Sequence, residues 1–294
     1  MKYDVMVVGG SYSGMAAALQ LLRARRSVLV IDAGLRRNRF ASHSHGFLGQ
    51  DGISPAEIAQ SARQQLEAYP TLTWIEGTAE TASGQKDRFV IATHDGARHA
   101  GRRVLFAAGV SDTLPAIDGL WERWGVSVFH CPYCHGYELD KGRIGVIAAG
   151  PMSLHQAQLI PEWGEVTFFS NSAVALDDTI RGDLAARGVT IEETPIARVD
   201  GHADIVLTDG RRLTLAGIFT APRNAPATPI AESLGCALAE TPLGAQIQTD
   251  DAKETTIPGA FACGDAARVP HSVSLAVADG AWAGAQLHRS LVWT

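Results

Sequence analysis

Tyr3-Asp4-Val5-Met6-Val7-Val8-Gly9-Gly10-Ser11-Tyr12-Ser13-Gly14 opens the chain and decides its fold class. Val5 to Val8 reads as a short apolar strand, the glycine-rich run as a turn, and Met15 to Arg25 as a helix. A second strand, Ser27 to Ile31, ends at Asp32. Strand, glycine turn, helix and a strand closed by an acid form the dinucleotide-binding unit of a doubly wound α/β fold. Gly9 permits the tight turn and Gly14 lets helix and strand pack closely. The helix N-terminus offers unbonded N–H groups to a pyrophosphate, and Asp32 stands where a carboxylate accepts the ribose hydroxyls of an adenosine. Ser11 replaces the middle glycine of G-x-G-x-x-G, and its small side chain still allows phosphates to approach.

Three later segments favour FAD over NAD at this first site. Val104 to Gly109 reads as a buried strand ending in a small-residue turn. Gly259-Ala260-Phe261-Ala262-Cys263-Gly264-Asp265-Ala266 repeats that logic, with an acid placed to bond a ribityl chain. A final helix over Ser272 to Leu291 would aim its positive N-terminal end at the pyrimidine edge of a flavin.

Midway lies His130-Cys131-Pro132-Tyr133-Cys134-His135-Gly136-Tyr137-Glu138. A C-x-x-C pair closes a small disulfide, and a helix start stabilises its thiolates. The four cysteines are Cys131, Cys134, Cys236 and Cys263, so a zinc site lacks two well-spaced ligands. In a reducing compartment a close pair of this kind is redox-active rather than a staple. The 294 residues suffice for two domains, and 46% hydrophobic residues with 30 glycines suit a glycine-punctuated α/β protein. A net charge of −6 argues against nucleic acid as the main partner. No apolar run approaches the roughly 20 residues of a membrane span. The N-terminus lacks a signal-peptide layout, so the expected location is cytoplasmic.

With these residues in view, the chain resembles the low-molecular-weight thioredoxin reductases over essentially its whole length. The landmarks are the Gly9–Gly14 turn, the central C-x-x-C, a second nucleotide-like strand and turn, and the Gly264-Asp265 pair. The closer resemblance is to the branch of gliotoxin oxidase and related bacterial dithiol oxidases, which carries C-P-[FY]-C-H-G-[YFW]-E where ordinary reductases carry C-A-T-C-D-G. Cys131 to Glu138 has the first form, and Arg37-Asn38-Arg39-Phe40 and His45-Gly46-Phe47-Leu48 also look like that branch. The resemblance implies an α/β architecture of two Rossmann-like, three-layer domains. A discontinuous FAD domain (1–114 and 223–294) would hold an inserted NAD(P)-type domain (115–222) that carries the C-x-x-C. It also implies a homodimer, with Cys134 facing the flavin and Cys131 meeting the substrate. Cofactor contacts would fall to Gly9, Ser11, Gly14, Asp32, Ala33, Arg37, His45, Ala79, Gly109, Gly264, Asp265, Ser272 and Val273.

The second unit starts as the first does, with a strand over Arg143 to Ile147 and a helix over Ser153 to Ile160. Between them, Ala148 replaces the first glycine, Gly150 keeps the second, and Ser153 takes the last place. Pro151 removes one backbone donor near the phosphate position. After the next strand, Ser170-Asn171-Ser172-Ala173 lacks the arginines with which NADPH-using relatives bind the 2′-phosphate. NADPH is therefore a doubtful donor.

These features lead to an NADPH-independent dithiol oxidase. A dithiol would reduce the Cys131–Cys134 disulfide, and electrons would pass through FAD to dioxygen. His135 is the leading base, since an imidazole with an ordinary pKa of about 6.5 shuttles protons near neutrality; His130 is the second choice. Two other readings stand beside this one: a thioredoxin reductase served weakly by NADPH or by ferredoxin, and a non-catalytic flavin redox sensor. The partner is a small dithiol or a thioredoxin-like protein.

Overall fold

The computed structural model describes residues 2–293, which gather into two compact units. The first takes the chain up to Arg39, Phe47–Ser111 and the chain from Asn224 on; the second takes Phe40–Gly46 and Asp112–Arg223. The segment 40–46 thus leaves its sequence neighbours and packs with the second unit.

In the first unit Lys2–Val8 is the hub of a seven-stranded sheet. It pairs in parallel with Val28–Asp32 on one side and Arg98–Phe106 on the other. Leu72–Glu76 extends the first side in parallel. Phe89–Thr93 and Ala79–Ser83 continue the other side as antiparallel strands, and Ala260–Ala262 runs parallel to the end of Arg98–Phe106. Val5, Val7, Val28 and Val30 are fully buried on one face with Leu105 and Phe261. That continuous apolar run is what a sheet covered on both faces requires.

Two helices close this face. Tyr12–Arg23 begins three residues earlier than the sequence reading placed it, so Gly14 lies inside its first turn. Val273–Val292 packs along it. A Cβ on Gly280 would strike the Ser13 backbone and one on Gly284 the Ala17 backbone, so these two glycines let the helices meet nearly backbone to backbone.

The second unit has its own five-stranded parallel sheet, in the order Thr190–Glu192, Glu165–Phe169, Arg143–Ile147, Gly217–Thr220 and Val128–Phe129. An antiparallel meander of Ile196–Asp200, Asp204–Leu207 and Arg212–Thr214 lies alongside. Leu120, Val128, Ile147, Phe169, Ile205 and Ile218 are buried together in one core of this unit. Phe129, Val146, Phe168 and Phe219 form another, with the helices Met152–Leu159 and Asp178–Ala186 supplying Ala157 and Leu184.

Candidate active site

Val8 hands the chain to Gly9, whose φ of +103° a side chain rarely adopts. Ser11 is the N-cap of the following helix, but its hydroxyl bonds no backbone N–H there. A Cβ on Gly14 would collide with the Gly9 carbonyl oxygen, so the helix can start over the turn only with glycine at that place. Asp32 ends its strand with Oδ1 accepting the Gly10 N–H at 3.0 Å. The carboxylate therefore shapes the turn as well as standing at the ribose position. Ala33 lies exposed just past it, and Ala79 is buried at the start of an edge strand. Trp74, which the sequence reading did not single out, packs against Gly10, with its Nε1 buried and unpartnered.

A second set of groups meets around Asp265. Its Oδ2 faces Arg37 Nη1 at 3.4 Å, and the same Nη1 lies 2.9 Å from Nδ1 of the buried His271. Asp265 Oδ1 is buried with no partner. Gly264, at φ +69°, donates its N–H to Asp279 Oδ2 at 2.9 Å, and Asp279 is ion-paired to Lys253 at 2.8 Å with both side chains largely buried. Beside them the Cys263 thiol is completely buried, which pushes its pKa up to about 12; it is no nucleophile. Ser272 caps the last helix by accepting the Leu275 N–H at 3.1 Å, and Val273 opens that helix. Gly109 takes φ +73° with open space where a side chain would be. Tyr12 joins the same unit: its hydroxyl donates to the Pro55 carbonyl and accepts from Asn38 Nδ2 at 3.1 Å, and burial raises its pKa.

These residues fit an FAD. A glycine-lined turn admits phosphates, and Asp265 Oδ1 is a buried acceptor of the kind a ribityl hydroxyl satisfies. Leaving such an acceptor unpaired costs about 1–3 kcal/mol.

In the second unit Cys131 and Cys134 form a disulfide with their Cα atoms 5.4 Å apart. Cys131 caps a single helical turn, Pro132–His135, shorter than the helix start the sequence reading imagined. The Gly136 N–H closes that turn on the Pro132 carbonyl at 2.7 Å. Glycine is required there because a Cβ would press into the Trp163 indole. The His130 carbonyl accepts from Gln156 Nε2 at 2.8 Å, which ties the residue before Cys131 to the helix Met152–Leu159.

The surroundings of His135, the leading base of the sequence reading, lower its affinity for a proton. Its ring stacks on Phe129 with centroids 4.3 Å apart, and burial, helped by His45, pushes its pKa down to about 4. His135 is neutral at neutral pH and only a weak proton acceptor. His45, expected beside the flavin, travels with the segment 40–46 into the second unit, where its Nδ1 meets Glu138 Oε1 at 3.5 Å. Both line a cavity of about 400 Å³ together with His43, Phe129, His135 and His202.

The second nucleotide-like turn is filled from within. The Ala149 N–H donates to the fully buried Ser153 hydroxyl at 2.9 Å, and the Ala148 N–H to the Phe169 carbonyl at 2.9 Å. Arginines at that sheet edge face carboxylates: Arg211 pairs with Glu192 and Asp209, and Arg181 with Glu193. The first of these pairings holds Glu192 at about 2.

Comparison with known proteins agrees with this fold. The family described as pyridine nucleotide-disulphide oxidoreductase matches residues 3–280. An oxidoreductase from Agrobacterium tumefaciens, known by its crystal structure, is 56% identical with a TM-score of 0.98 and covers 100% of this chain and 99% of its own. HlmI is 32% identical with a TM-score of 0.91, over 99% of this chain and 93% of that one. The thioredoxin reductase sirT of Leptosphaeria maculans is 30% identical over 306 residues, 96% of this chain and 92% of its own.

Proposed function

The chain belongs to the pyridine nucleotide-disulphide oxidoreductases, FAD-dependent enzymes with thioredoxin reductase-like relatives, and on that premise we propose that it is a dithiol oxidase that works without NADPH. One observation carries the reading: the Cys131–Cys134 disulfide shares a unit with a nucleotide-like turn whose Ala149 amide is already taken by Ser153. An NADPH phosphate would find Pro151 without an N–H and the Ser153 side chain where the first turn has Gly14. It would also meet no arginine in Ser170 to Ala173, where charge-assisted contacts of about 1.5–3 kcal/mol each would be needed.

In this reading a substrate thiolate attacks Cys131 Sγ, the bond to Cys134 breaks, and a mixed disulfide forms. The second substrate thiol then displaces Cys131, and an oxidised product leaves both cysteines reduced. Bound FAD supplies two-electron chemistry between the reduced pair and dioxygen, with hydrogen peroxide as product. Gly9, Ser11, Gly14, Asp32 and Ala33 would hold its adenosine and pyrophosphate. Arg37, Ala79, Gly109, Gly264, Asp265, Ser272 and Val273 would hold the rest. Cys134 and Cys131 keep separate duties, the first toward the flavin and the second toward the substrate. The substrate in this reading is a small dithiol rather than a thioredoxin-like protein. A cytoplasmic homodimer completes the proposal.

The test is anaerobic mixing of the purified holoprotein with NADPH, NADH or dithiothreitol while the visible flavin band is followed. Bleaching by dithiothreitol alone, with recovery and peroxide on admitting air, is the expected result. Rapid bleaching by micromolar NADPH would make the protein an NADPH-dependent reductase instead.

A further inference from the structure

The helix Met152–Leu159 and the short turn Ile160–Glu162 that continues it lead to Trp163, and this one segment grips the C-x-x-C turn at three points. At the entry, Gln156 Nε2 donates at 2.8 Å to the His130 carbonyl, which belongs to the peptide bond leading into Cys131. In the middle, the Tyr133 ring, although 71% exposed, stands edge-on to Trp163 with centroids 5.2 Å apart. At the exit the same indole lies so close to Gly136 that a Cβ there would be 2.6 Å from its Cδ1.

Gln156 is the informative member. A carbonyl oxygen can only accept, so its bond to His130 fixes which end of the carboxamide faces the turn. The other end, Oε1, is buried with no partner. A buried amide satisfied at one end costs stability that an apolar side chain of the same size would not. Half-satisfied groups are expected where function overrides packing. The two cysteines also differ in how they are held. Cys134 sits inside the single helical turn and donates its own N–H to the Cys131 carbonyl at 3.2 Å. Cys131 is the extended N-cap at the edge of that turn, and the peptide entering it is the one that Gln156 holds.

We propose that Gln156 is a positioning residue for thiol–disulfide exchange: by holding the peptide that enters Cys131, it fixes Cys131 as the sulfur that is attacked. The inference rests on the reading in which the substrate meets Cys131. An incoming thiolate bonds to Cys131 Sγ, the Cys131–Cys134 bond breaks, and its electron pair leaves on Cys134 Sγ as thiolate. Which sulfur is attacked and how well it is aligned both set the rate of such a step. A helix that in a nucleotide-binding unit would serve a phosphate here serves the disulfide.

The test maps where a monothiol lands. Anaerobic holoprotein is mixed with 2-mercaptoethanol, quenched with iodoacetamide to cap the cysteine that leaves, and digested for mass mapping. The wild type should carry mercaptoethanol on Cys131 and the cap on Cys134. Gln156→Met, similar in size but without an N–H, should form the adduct about tenfold more slowly, the scale of one lost hydrogen bond. It should also divide the adduct between Cys131 and Cys134. Gln156→Glu, which at neutral pH has no hydrogen to give, should behave like Gln156→Met. Gln158→Met, two residues along the helix, should keep the wild-type rate and site. The urea midpoint of Gln156→Met should stay close to the wild type, because the unpartnered Oε1 is removed together with the bond. Wild-type rate and site in Gln156→Met would overturn the assignment. So would a slower rate with a matching loss of stability and the adduct still on Cys131 alone, the result a merely structural residue gives. An adduct on Cys134 in the wild type would overturn the premise about Cys131 and the inference with it. Failure of the oxidase reading looks different: NADPH would bleach the flavin or air would yield no peroxide, while the adduct map stayed as predicted.

Discussion

At the first glycine turn the Gly10 N–H is taken by Asp32 from the next strand at 3.0 Å, whereas at the second the matching Ala149 N–H is taken at 2.9 Å by Ser153 of the helix itself, which stands where the first turn has Gly14. Both turns join a buried parallel strand to a helix, so the difference is not one of fold. It lies in where the backbone donors go. The first unit also keeps buried side-chain atoms without partners, including Asp265 Oδ1, Trp74 Nε1 and Asn38 Oδ1. Among the described residues, the second unit has one such atom, Gln156 Oε1. Under the proposed reading, a β-turn-α frame is kept for its core and its cysteine pair without nucleotide chemistry.

The largest effect is expected from breaking the open turn. Gly14→Val places a side chain onto the Gly9 carbonyl oxygen and about 3.3 Å from Val7. Overpacking of this kind costs about 1–3 kcal/mol, but the greater loss is geometric, since the helix start must move off the turn. Flavin per chain, measured by absorbance after gel filtration, should fall to background. Full retention of flavin would mean that the first turn does not hold the cofactor.

The second unit's stability should instead depend on pH through its own buried ring. Unfolded, the His135 imidazole titrates near about 6.5; folded, near about 4. Between these values the unfolded chain binds the extra proton, so stability rises with pH across the window. The contribution is fully present above pH 6.5 and is lost as pH falls toward 4. Its ceiling is about 3 kcal/mol, less whatever solvent reaches the ring. Urea midpoints of His135→Phe should show a flatter acid limb than the wild type, and an unchanged limb would remove this ring from the account.

Ligands sharpen the contrast next. FAD at a hundredfold excess over its Kd should stabilise the apoprotein by about 2.7 kcal/mol, seen as a rise in melting temperature. Millimolar NADPH should leave the melting temperature unmoved. Equal shifts from both would erase the distinction between the turns.

Much of this contrast was legible in the residues, because turns and thiol pairs act through short spacings. Gly9, Gly14 and Asp32 declare themselves within one strand–helix–strand unit, and Cys131 and Cys134 within four residues. Ala148 and Pro151 likewise mark the second turn as departing from the glycine pattern, although the Ser153 bond across it needed coordinates. What escaped depends on distant packing. Nothing local says that Phe40–Gly46 joins the second unit, or that Phe129 covers His135. Lys253 and Asp279 meet across 26 residues with no periodic signal to pair them. Gly280 and Gly284 were within reach, for two glycines four apart on a helix mark a face where another backbone comes close.

The smallest effect separates two ways in which the second turn would refuse NADPH under the proposed reading. Ser153→Ala removes the acceptor of the Ala149 N–H, and because Ala149 is exposed water can replace it, so the loss is that of one net hydrogen bond, about 0.5–1.5 kcal/mol. If the serine alone barred the nucleotide, the variant should gain NADPH-driven flavin bleaching along with that loss. The expected outcome is loss of about 1 kcal/mol in urea unfolding and no bleaching. A freed amide supplies one neutral hydrogen bond, whereas Ser170 to Ala173 still offers the 2′-phosphate no guanidinium. Bleaching by NADPH in Ser153→Ala would place the block in the turn itself and make the missing arginines secondary.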